Sequence, residues 1–353
     1  MSRKRTLQSV RRPFAVALAI AAALVFASPG AQAEELGARA FGMGGAHVAV
    51  GGDLATIVHN PARLADNAFE VGIGLGANDL AAITSFYSLL TDPSEFDEDA
   101  RLRLHTLSGV AVNGFGIGLA AEGELDVDAG CATADLCAEG SYMTQILLGA
   151  GRQTAGLPLN LAGLRVGGTL KRLTIRHFSF SKTEHPGGYD TATEDWVGQG
   201  YSLDLGVALD ATEVVALGLT VTDVLSTLSW NGQRTESQYD LGDVLLASTE
   251  TSLGSRHETL DPVYRAGVAL RPPGLGLVAA LDLASDGTVR YGVEKNLFAN
   301  LISLRAGQVR TPEETTTTLG LGLNFGPARI DTAVGSADGF QTFTTVIEGS
   351  VRF

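Results

Sequence analysis

Apolar and polar side chains alternate along the last eleven residues of the chain. One face of this segment is largely apolar and is formed by Phe343, Thr345, Ile347, Val351 and Phe353. The opposite face is polar and is formed by Thr344, Glu348, Ser350 and Arg352. Because successive side chains of a strand point to opposite sides, this pattern predicts a terminal strand with lipid outside and a polar lumen inside.

The same alternation recurs in about fourteen segments and predicts an all-β fold, a transmembrane antiparallel β-barrel. The clearest segment is 201–210, where Leu203, Leu205 and Val207 share one face and Asp204 lies on the other. The predicted strands cover residues 69–77, 105–113, 115–126, 141–152, 161–176, 197–210, 213–224, 259–271, 274–285, 288–296, 299–310, 315–325, 328–335 and 343–353. Taken strand by strand, a soluble two-layered sandwich would alternate equally well.

The lengths of the connections favour the barrel over the sandwich. With the C-terminus placed in the periplasm, the turns on that side are short: 113–114, 152–160, 211–212, 272–273, 297–298 and 326–327. The connections on the other side are long: 78–104, where residues 79–90 look helical, and then 127–140, 177–196 and 225–258. Short turns on one side and long loops on the other, with an even number of strands, are typical of outer-membrane barrels. We therefore expect residues 69–353 to form the barrel.

The first 33 residues read as a cleavable signal peptide. Five basic residues precede an apolar stretch, 14–26, that is too short to span a bilayer as a helix, and Ala31-Gln32-Ala33 supplies the small-residue cleavage pattern. Removal of those five basic residues takes the formal charge from −14 to −19. So acidic a chain is not expected to bind nucleic acid or an anionic surface. The predicted location is the outer membrane of a Gram-negative cell.

Residues 34–68, between the signal peptide and the first strand, are rich in glycine and contain an Asn-Pro-Ala turn. They show no alternation long enough for a strand, and their composition favours positive φ angles and close packing. A barrel of about fourteen strands has a bore too wide for side chains alone to fill. The segment is therefore predicted to be a plug inside the barrel.

The residues that carry this interpretation also resemble a known family. They are Gly42, Gly44, Gly45, Asp53, Asn60, Pro61, Ala62 and Leu64. This set resembles the N-terminal hatch of FadL-type outer-membrane transporters for hydrophobic compounds and of their shorter PorV- and TraF-like relatives. Blocks 264–270, 301–307 and 320–326 resemble the shorter group as well.

The resemblance implies a hatch inside the lumen, with Asn60, Pro61 and Ala62 at its core, whose movement opens a route for apolar ligands. The leading hypothesis is passive transport or binding of hydrophobic small molecules, such as long-chain fatty acids, by a monomer that contacts membrane lipid and needs no cofactor. The alternative is a scaffold that binds proteins of a secretion or conjugation system through residues 78–104 and 225–258.

Charges of both signs are predicted on the inner wall: Arg265, Asp282, Arg290, Glu294, Arg305, Arg329, Asp331, Glu348 and Arg352. We expect them to form cross-strand ionic ladders, because an ion-selective pore would favour rings of one sign. Cys131 and Cys137 share one outer loop in an oxidising compartment, which predicts a structural disulfide.

Other chemistry has weaker support in the sequence. The glycines at 42–45 follow no strand and lack the Lys-Ser/Thr ending of a phosphate loop. His47 and His59 lie near Asp53 but have no third ligand at metal-site spacing, so neither a metal nor a cofactor is expected. His177 and His185 lie in an acidic outer loop, which is better explained by solvation than by catalysis, and no enzyme motif is present.

Overall fold

A computed structural model describes residues 36–78, 100–128, 131, 135–154, 163–337, 339 and 342–353. The predicted signal peptide, 1–33, and the predicted helix at 79–90 lie outside these residues. Two short helices come first, α1 (Ala38–Gly42) and α2 (Thr56–His59), followed by a 3-10 helix (Pro61–Asp66). No helix in the described part of the chain is long and apolar enough to cross a membrane.

Fifteen strands follow within the described residues: β1 (Phe69–Asn78), β2 (Ala100–Val112), β3 (Phe115–Asp128), β4 (Leu136–Gln153), β5 (Leu164–His185), β6 (Gly188–Asp210), β7 (Val215–Asp240), β8 (Leu245–Glu258), β9 (Val263–Leu270), β10 (Leu277–Ala284), β11 (Val289–Leu297), β12 (Ile302–Arg310), β13 (Thr315–Phe325), β14 (Ala328–Ser336) and β15 (Thr344–Arg352).

Fourteen of these strands form a closed antiparallel ring, which confirms the predicted fold and strand number. Consecutive strands pair from β1 to β7 and from β9 to β15. The lower part of β7 pairs with β9, and β1 pairs with β15, which closes the ring. β8 is additional and pairs with the upper part of β7. Closure gives the backbone N–H and C=O groups of the first and last strands their hydrogen-bond partners, which is the condition for a sheet to lie in lipid.

The alternation predicted for the barrel strands is confirmed in β15. Ile347 and Val351 are exposed on the outer face, whereas Glu348 and Ser350 are buried on the inner face. The predicted turn at Asn113-Gly114 joins β2 to β3, and both residues have positive φ angles, as the tight turns of hairpins require.

The predicted outer loops are wrong in one respect, because most of them are strands. Residues 177–196 form the ends of β5 and β6, which pair as far as His185 and Gly188. Residues 225–258 form the upper part of β7 and all of β8. These segments lie beyond the apolar band, where water meets both faces, so the hydrophobic alternation that marks a strand is absent. Backbone pairing and cross-strand side-chain contacts maintain them.

We call this extension the canopy and define it by its residues: 100–105, 122–128, 136–143, 175–185, 188–198, 230–240 and 245–256. It raises one half of the barrel wall, β2 to β8, well above the short strands β9 to β15. Its concave face continues the inner face of the barrel, because register is kept from the lower to the upper part of β5 and β6.

The boundary between membrane and canopy can be tested on β6. Leu205 and Thr193 point to the same outer face, but Leu205 is exposed in the apolar band and Thr193 lies in the canopy. An arginine that faces lipid at the membrane midplane lowers the stability of such barrels by about 2–4 kcal/mol. Leu205→Arg should therefore lower the free energy of unfolding by about that amount, measured by urea unfolding in lipid vesicles.

Thr193→Arg is the matched control for this measurement and should change the free energy by no more than about 0.5 kcal/mol, as exposed substitutions do. Equal effects of the two substitutions would show that the apolar band does not face lipid.

Candidate functional site

Residues 36–68 form a compact element, here called the plug, that is almost entirely buried. Its helices are too short to be stable alone, and their flanking turns use positive φ angles at Gly37, Gly44, Gly45, Gly51 and Gly52. Gly42 serves a different purpose, because it lies in α1 and approaches the backbone of Gly320 in β13. The fold of the plug therefore depends on the wall around it.

The Asn-Pro-Ala turn lies in the core of the plug. The side-chain amide of Asn60 donates to the carbonyl oxygens of Val48, at 2.8 Å, and of Val207 in β6, at 3.1 Å. Its side-chain oxygen accepts from the backbone N–H of Ala62 and caps the 3-10 helix that contains Leu64. One side chain thus ties two parts of the plug to each other and to the barrel.

Glycines on the inner face of the wall make room for the plug. A Cβ atom at Gly292 or Gly307 would overlap the backbone of Met43 and Gly44. Further glycines cradle other parts of the plug in the same way: Gly167 and Gly206 face Pro61 and Ala62, Gly218 and Gly267 face Val48, and Gly149 faces Ile57 and Leu64. The backbone of the plug therefore lies directly against the backbone of the wall.

Arg39 of α1 is the principal charged contact between plug and wall. Its guanidinium donates two hydrogen bonds to the carboxylate of Glu294, at 2.8 and 2.9 Å, and one to the carbonyl of Gly51. Glu294 also accepts from Arg305 at 2.7 Å, and Arg305 donates to Asp331, which pairs with Arg329. These ion pairs form a continuous series along the wall, which ends at Arg39 of the plug.

Other wall carboxylates accept hydrogen bonds from the backbone of the plug. Asp282 accepts from the N–H groups of His47 and Val48, at 2.8 and 2.9 Å. Glu348 accepts from the N–H of Ala38 at 2.9 Å. Glu348 thus pairs the first N–H group of α1, which has no acceptor within the helix, and Asp282 pairs two N–H groups of the segment between α1 and α2.

The remaining predicted wall residues lie beside these contacts. Arg265 and Arg290 are buried on the inner face, and Arg290 is the register partner of Asp282. Arg352 donates to Glu70 at 2.9 Å and joins the strands that close the ring. The structure thus brings all nine predicted wall charges to the inner face, where some pair along the wall and others hold the plug.

Asp53 and the two histidines of the plug form a buried group. His47 Nε2 lies 2.9 Å from the Asp53 carboxylate, and the two imidazole rings are 5.2 Å apart. Burial alone would raise the pKa of Asp53, but His47 and Arg39 outweigh it and hold this pKa well below its usual range. Burial lowers the pKa of His59 to about 3, so this imidazole is neutral at pH 7. No group of three or more metal-ligating side chains occurs among the described residues.

A second charged cluster holds the plug at the rim formed by the short turns. Arg63 lies 2.9 Å from Asp210 and 3.3 Å from Asp66, and Arg165 binds both of these carboxylates, at 2.7 and 2.6 Å. Arg271 donates to the carbonyl of Ala49 at 3.0 Å. Sequence reasoning missed this cluster and Arg39, although Arg63 directly follows the Asn-Pro-Ala turn.

The two cysteines lie far from the plug. Cys131 and Cys137 are joined by a disulfide at the connection between β3 and β4, and Cys137 belongs to the canopy. In the described residues neither cysteine is free.

A bulky side chain in the glycine cradle should displace the plug without unfolding the barrel. Gly307→Val should increase the maleimide labelling rate of a cysteine introduced at Ala46, which is fully buried, by at least about tenfold. Gly349→Val is the control, because nothing lies within 4 Å of a Cβ at Gly349 on the lipid side. Unchanged labelling in Gly307→Val would mean that the cradle does not seat the plug.

The neutral state of His59 predicts acid sensitivity. The folded state holds this group unprotonated down to about pH 3, whereas the unfolded chain binds a proton below about pH 6.5. Stability should therefore fall as pH decreases from 6.5, by about 1.4 kcal/mol per pH unit for this group.

Thermal unfolding at pH 7.5 and at pH 5.0 measures this effect. The loss at pH 5.0 should shrink in His59→Gln, which keeps a donor for the Leu36 carbonyl, and should persist in His185→Gln, an exposed residue of the canopy. A loss of the same size in both variants would assign the acid sensitivity to other groups.

Comparisons with known proteins agree with this geometry. No protein-family model and no curated protein matches the sequence. Among solved structures, the TodX deltaS2S3 mutant monoaromatic hydrocarbon channel superposes with a TM-score of 0.66 at 14% identity, over 90% of this chain and 99% of that one. The Ralstonia pickettii toluene transporter TbuX gives 0.64 at 14% identity, over 91% and 99%.

A Pseudomonas aeruginosa FadL homologue gives a TM-score of 0.60 at 9% identity, over 93% of this chain and all of that one. None of these three structures is a PorV- or TraF-like protein. The resemblance that the hatch residues suggested is thus confirmed at the level of the fold: this chain has the barrel fold of the FadL-type hydrocarbon channels.

Proposed function

We propose that this chain is a passive outer-membrane channel for apolar small molecules and that residues 34–68 are its hatch. The observation that carries the proposal is a barrel with the fold of hydrocarbon channels whose lumen holds a separate, non-covalently seated element. The named structural neighbours are channels for monoaromatic hydrocarbons, toluene transporters or a FadL homologue. Passage down a concentration gradient requires neither an energy source nor a cofactor, and no catalysis is proposed.

The contacts of the plug support a role as a movable element. Three apolar clusters contain side chains of both plug and wall. The polar links include those of Arg39 to Glu294 and of Asn60 to the Val207 carbonyl. Water can replace each of the polar links at small net cost, whereas the apolar clusters oppose displacement.

The remaining parts of the proposal concern location and assembly. Export by cleavage of residues 1–33, insertion into the outer membrane of a Gram-negative cell and a monomeric state are supported by the sequence pattern and by the closed ring. The alternative, a scaffold for secretion or conjugation proteins, lacks support among the three named structures. The surface assigned to it at 225–258 is a regular hairpin in the canopy.

A reversible lock tests whether the plug gates transport. Cβ atoms at Gly42 in α1 and Ala333 in β14 would lie 3.4 Å apart, close to the range of about 3.5–4.5 Å found in disulfides. Oxidised Gly42→Cys/Ala333→Cys protein should reduce vesicle uptake of toluene, a neutral apolar probe, to the rate of protein-free vesicles. A reducing agent should restore the uptake.

Gly72→Cys/Ser350→Cys supplies the matched control. It joins two wall strands, with 3.5 Å between the Cβ of a residue at 72 and that of Ser350. The Cβ at 72 lies 3.4 Å from Leu54 of the plug, but the disulfide does not join the plug to the wall. Its uptake should be the same oxidised and reduced. Undiminished uptake by the oxidised Gly42/Ala333 pair would contradict gating by the plug, and wild-type uptake no faster than that of empty vesicles would contradict the channel function itself.

A further inference from the structure

The concave face of the canopy contains a cavity with a volume of about 320 Å³ above the plug. Its walls come from four neighbouring strands, β3 to β6. Ser141, His177 and Trp196 are register neighbours across three of these strands, and Glu124 continues the row on the fourth. The volume is at the lower end of the range of about 300–1,000 Å³ found for small-molecule pockets. It would hold a single-ring aromatic compound.

Aromatic rings give this region an affinity for cations that is visible within the protein. The guanidinium of Arg256 lies 4.9 Å from the ring of Trp196 and 5.2 Å from that of Trp230. The imidazole of His177 stacks on Trp230 at 5.1 Å. Gly232 lies opposite Trp196, and Gly198 lies opposite Trp230. Because these glycines have no side chain, each tryptophan ring lies flat on the sheet. These rings are therefore held in place before any ligand arrives.

The charge around the cavity is negative. Four carboxylates line it: Glu124, Asp126, Glu139 and Glu194. Among the described residues that line it there is no lysine or arginine. Arg101 binds Glu124 and Asp126, Arg103 binds Glu124, and Arg234 binds Glu194, so these arginines and these three carboxylates compensate one another. Glu139 forms no ion pair among the described residues and is exposed.

The nearest cation below the cavity is occupied too. Lys171, on the inner face of β5, binds Asp204 at 2.8 Å and Asp223 at 2.6 Å. Asp223 reaches this position because β7 bulges between Val221 and Leu225. A ligand carboxylate would therefore meet two carboxylates around a single ammonium group. Entry of an anion along this side of the lumen is disfavoured.

We propose that the canopy cavity selects neutral and cationic aromatic compounds and discriminates against carboxylates, fatty-acid anions included. The aromatic walls would bind the ring, and the carboxylate of Glu139, unpaired among the described residues, would favour an ammonium group over a hydroxyl and a hydroxyl over a carboxylate. This inference rests on the proposed channel function, since it names the class of compound admitted to the lumen. It replaces the fatty-acid example that the family resemblance suggested.

Tryptophan fluorescence can measure this selectivity, because the chain contains two tryptophans and both lie in this region. The probes are 3-phenylpropylammonium, 3-phenylpropanol and 3-phenylpropanoate, which share one apolar body. Titration of the full-length protein in detergent should give tightest binding for the ammonium compound and at least about tenfold weaker binding for the carboxylate.

The variant Glu139→Gln should reduce this ratio to less than about threefold. Glu250→Gln should leave it unchanged, because Glu250 pairs with Thr235 on the outer face of the canopy. High salt should also reduce the ratio. Retention of the ratio in Glu139→Gln would locate the selectivity elsewhere and overturn the proposal.

Uptake of 3-phenylpropanol into vesicles, measured in parallel, separates the two hypotheses. Accelerated uptake with equal affinities for the three probes, or with tightest binding of the carboxylate, would sustain the channel and overturn the selectivity. Absence of quenching by all three probes would also overturn the proposed cavity. Uptake no faster than in empty vesicles would contradict the channel, whatever the order of affinities.

Discussion

The pairing of β1 with β15 is the interaction on which the rest of the structure depends. Lipid offers no partner for a backbone N–H or C=O group, so a sheet in a membrane must close upon itself. Closure at fourteen strands fixes a bore that inward side chains cannot fill. The plug follows from this geometry: without an element in the lumen the barrel would be a water-filled pore, as in the larger porins.

The plug is held by a combination of steric fit and replaceable polar contacts. Wall glycines such as Gly292 and Gly307 bring its backbone against the strands, which fixes its position without large apolar side chains at those points. Arg39 and the carboxylates of Asp282 and Glu348 then satisfy groups that burial would otherwise leave unpaired. The polar contacts have counterparts in water, but the apolar clusters shared by plug and wall do not, so displacement of the plug also exposes apolar surface.

The sequence predicted the strands whose two faces lie in different environments. Lipid on one side and polar groups on the other impose alternation on β15 and on the lower part of β6, and the Asn113-Gly114 turn has a composition specific to its geometry. The upper parts of β5 to β8 meet water on both sides, so nothing in their sequence separates them from loops. The cradle and Arg39 escaped prediction for another reason: a glycine or an arginine shows its role only when the residue opposite it, far away in the sequence, is known.

Occlusion and selection are placed in different parts of this barrel. The polar groups of the plug pair with each other and with the wall. Because the plug is buried, little of its surface can contact a ligand. The canopy is open to water, and its aromatic rings and carboxylates face a cavity. A charged ligand meets the carboxylates of the canopy before it reaches the plug, because the canopy rises above the plug. Discrimination by charge can therefore precede any movement of the plug, so the two properties can be altered by separate substitutions.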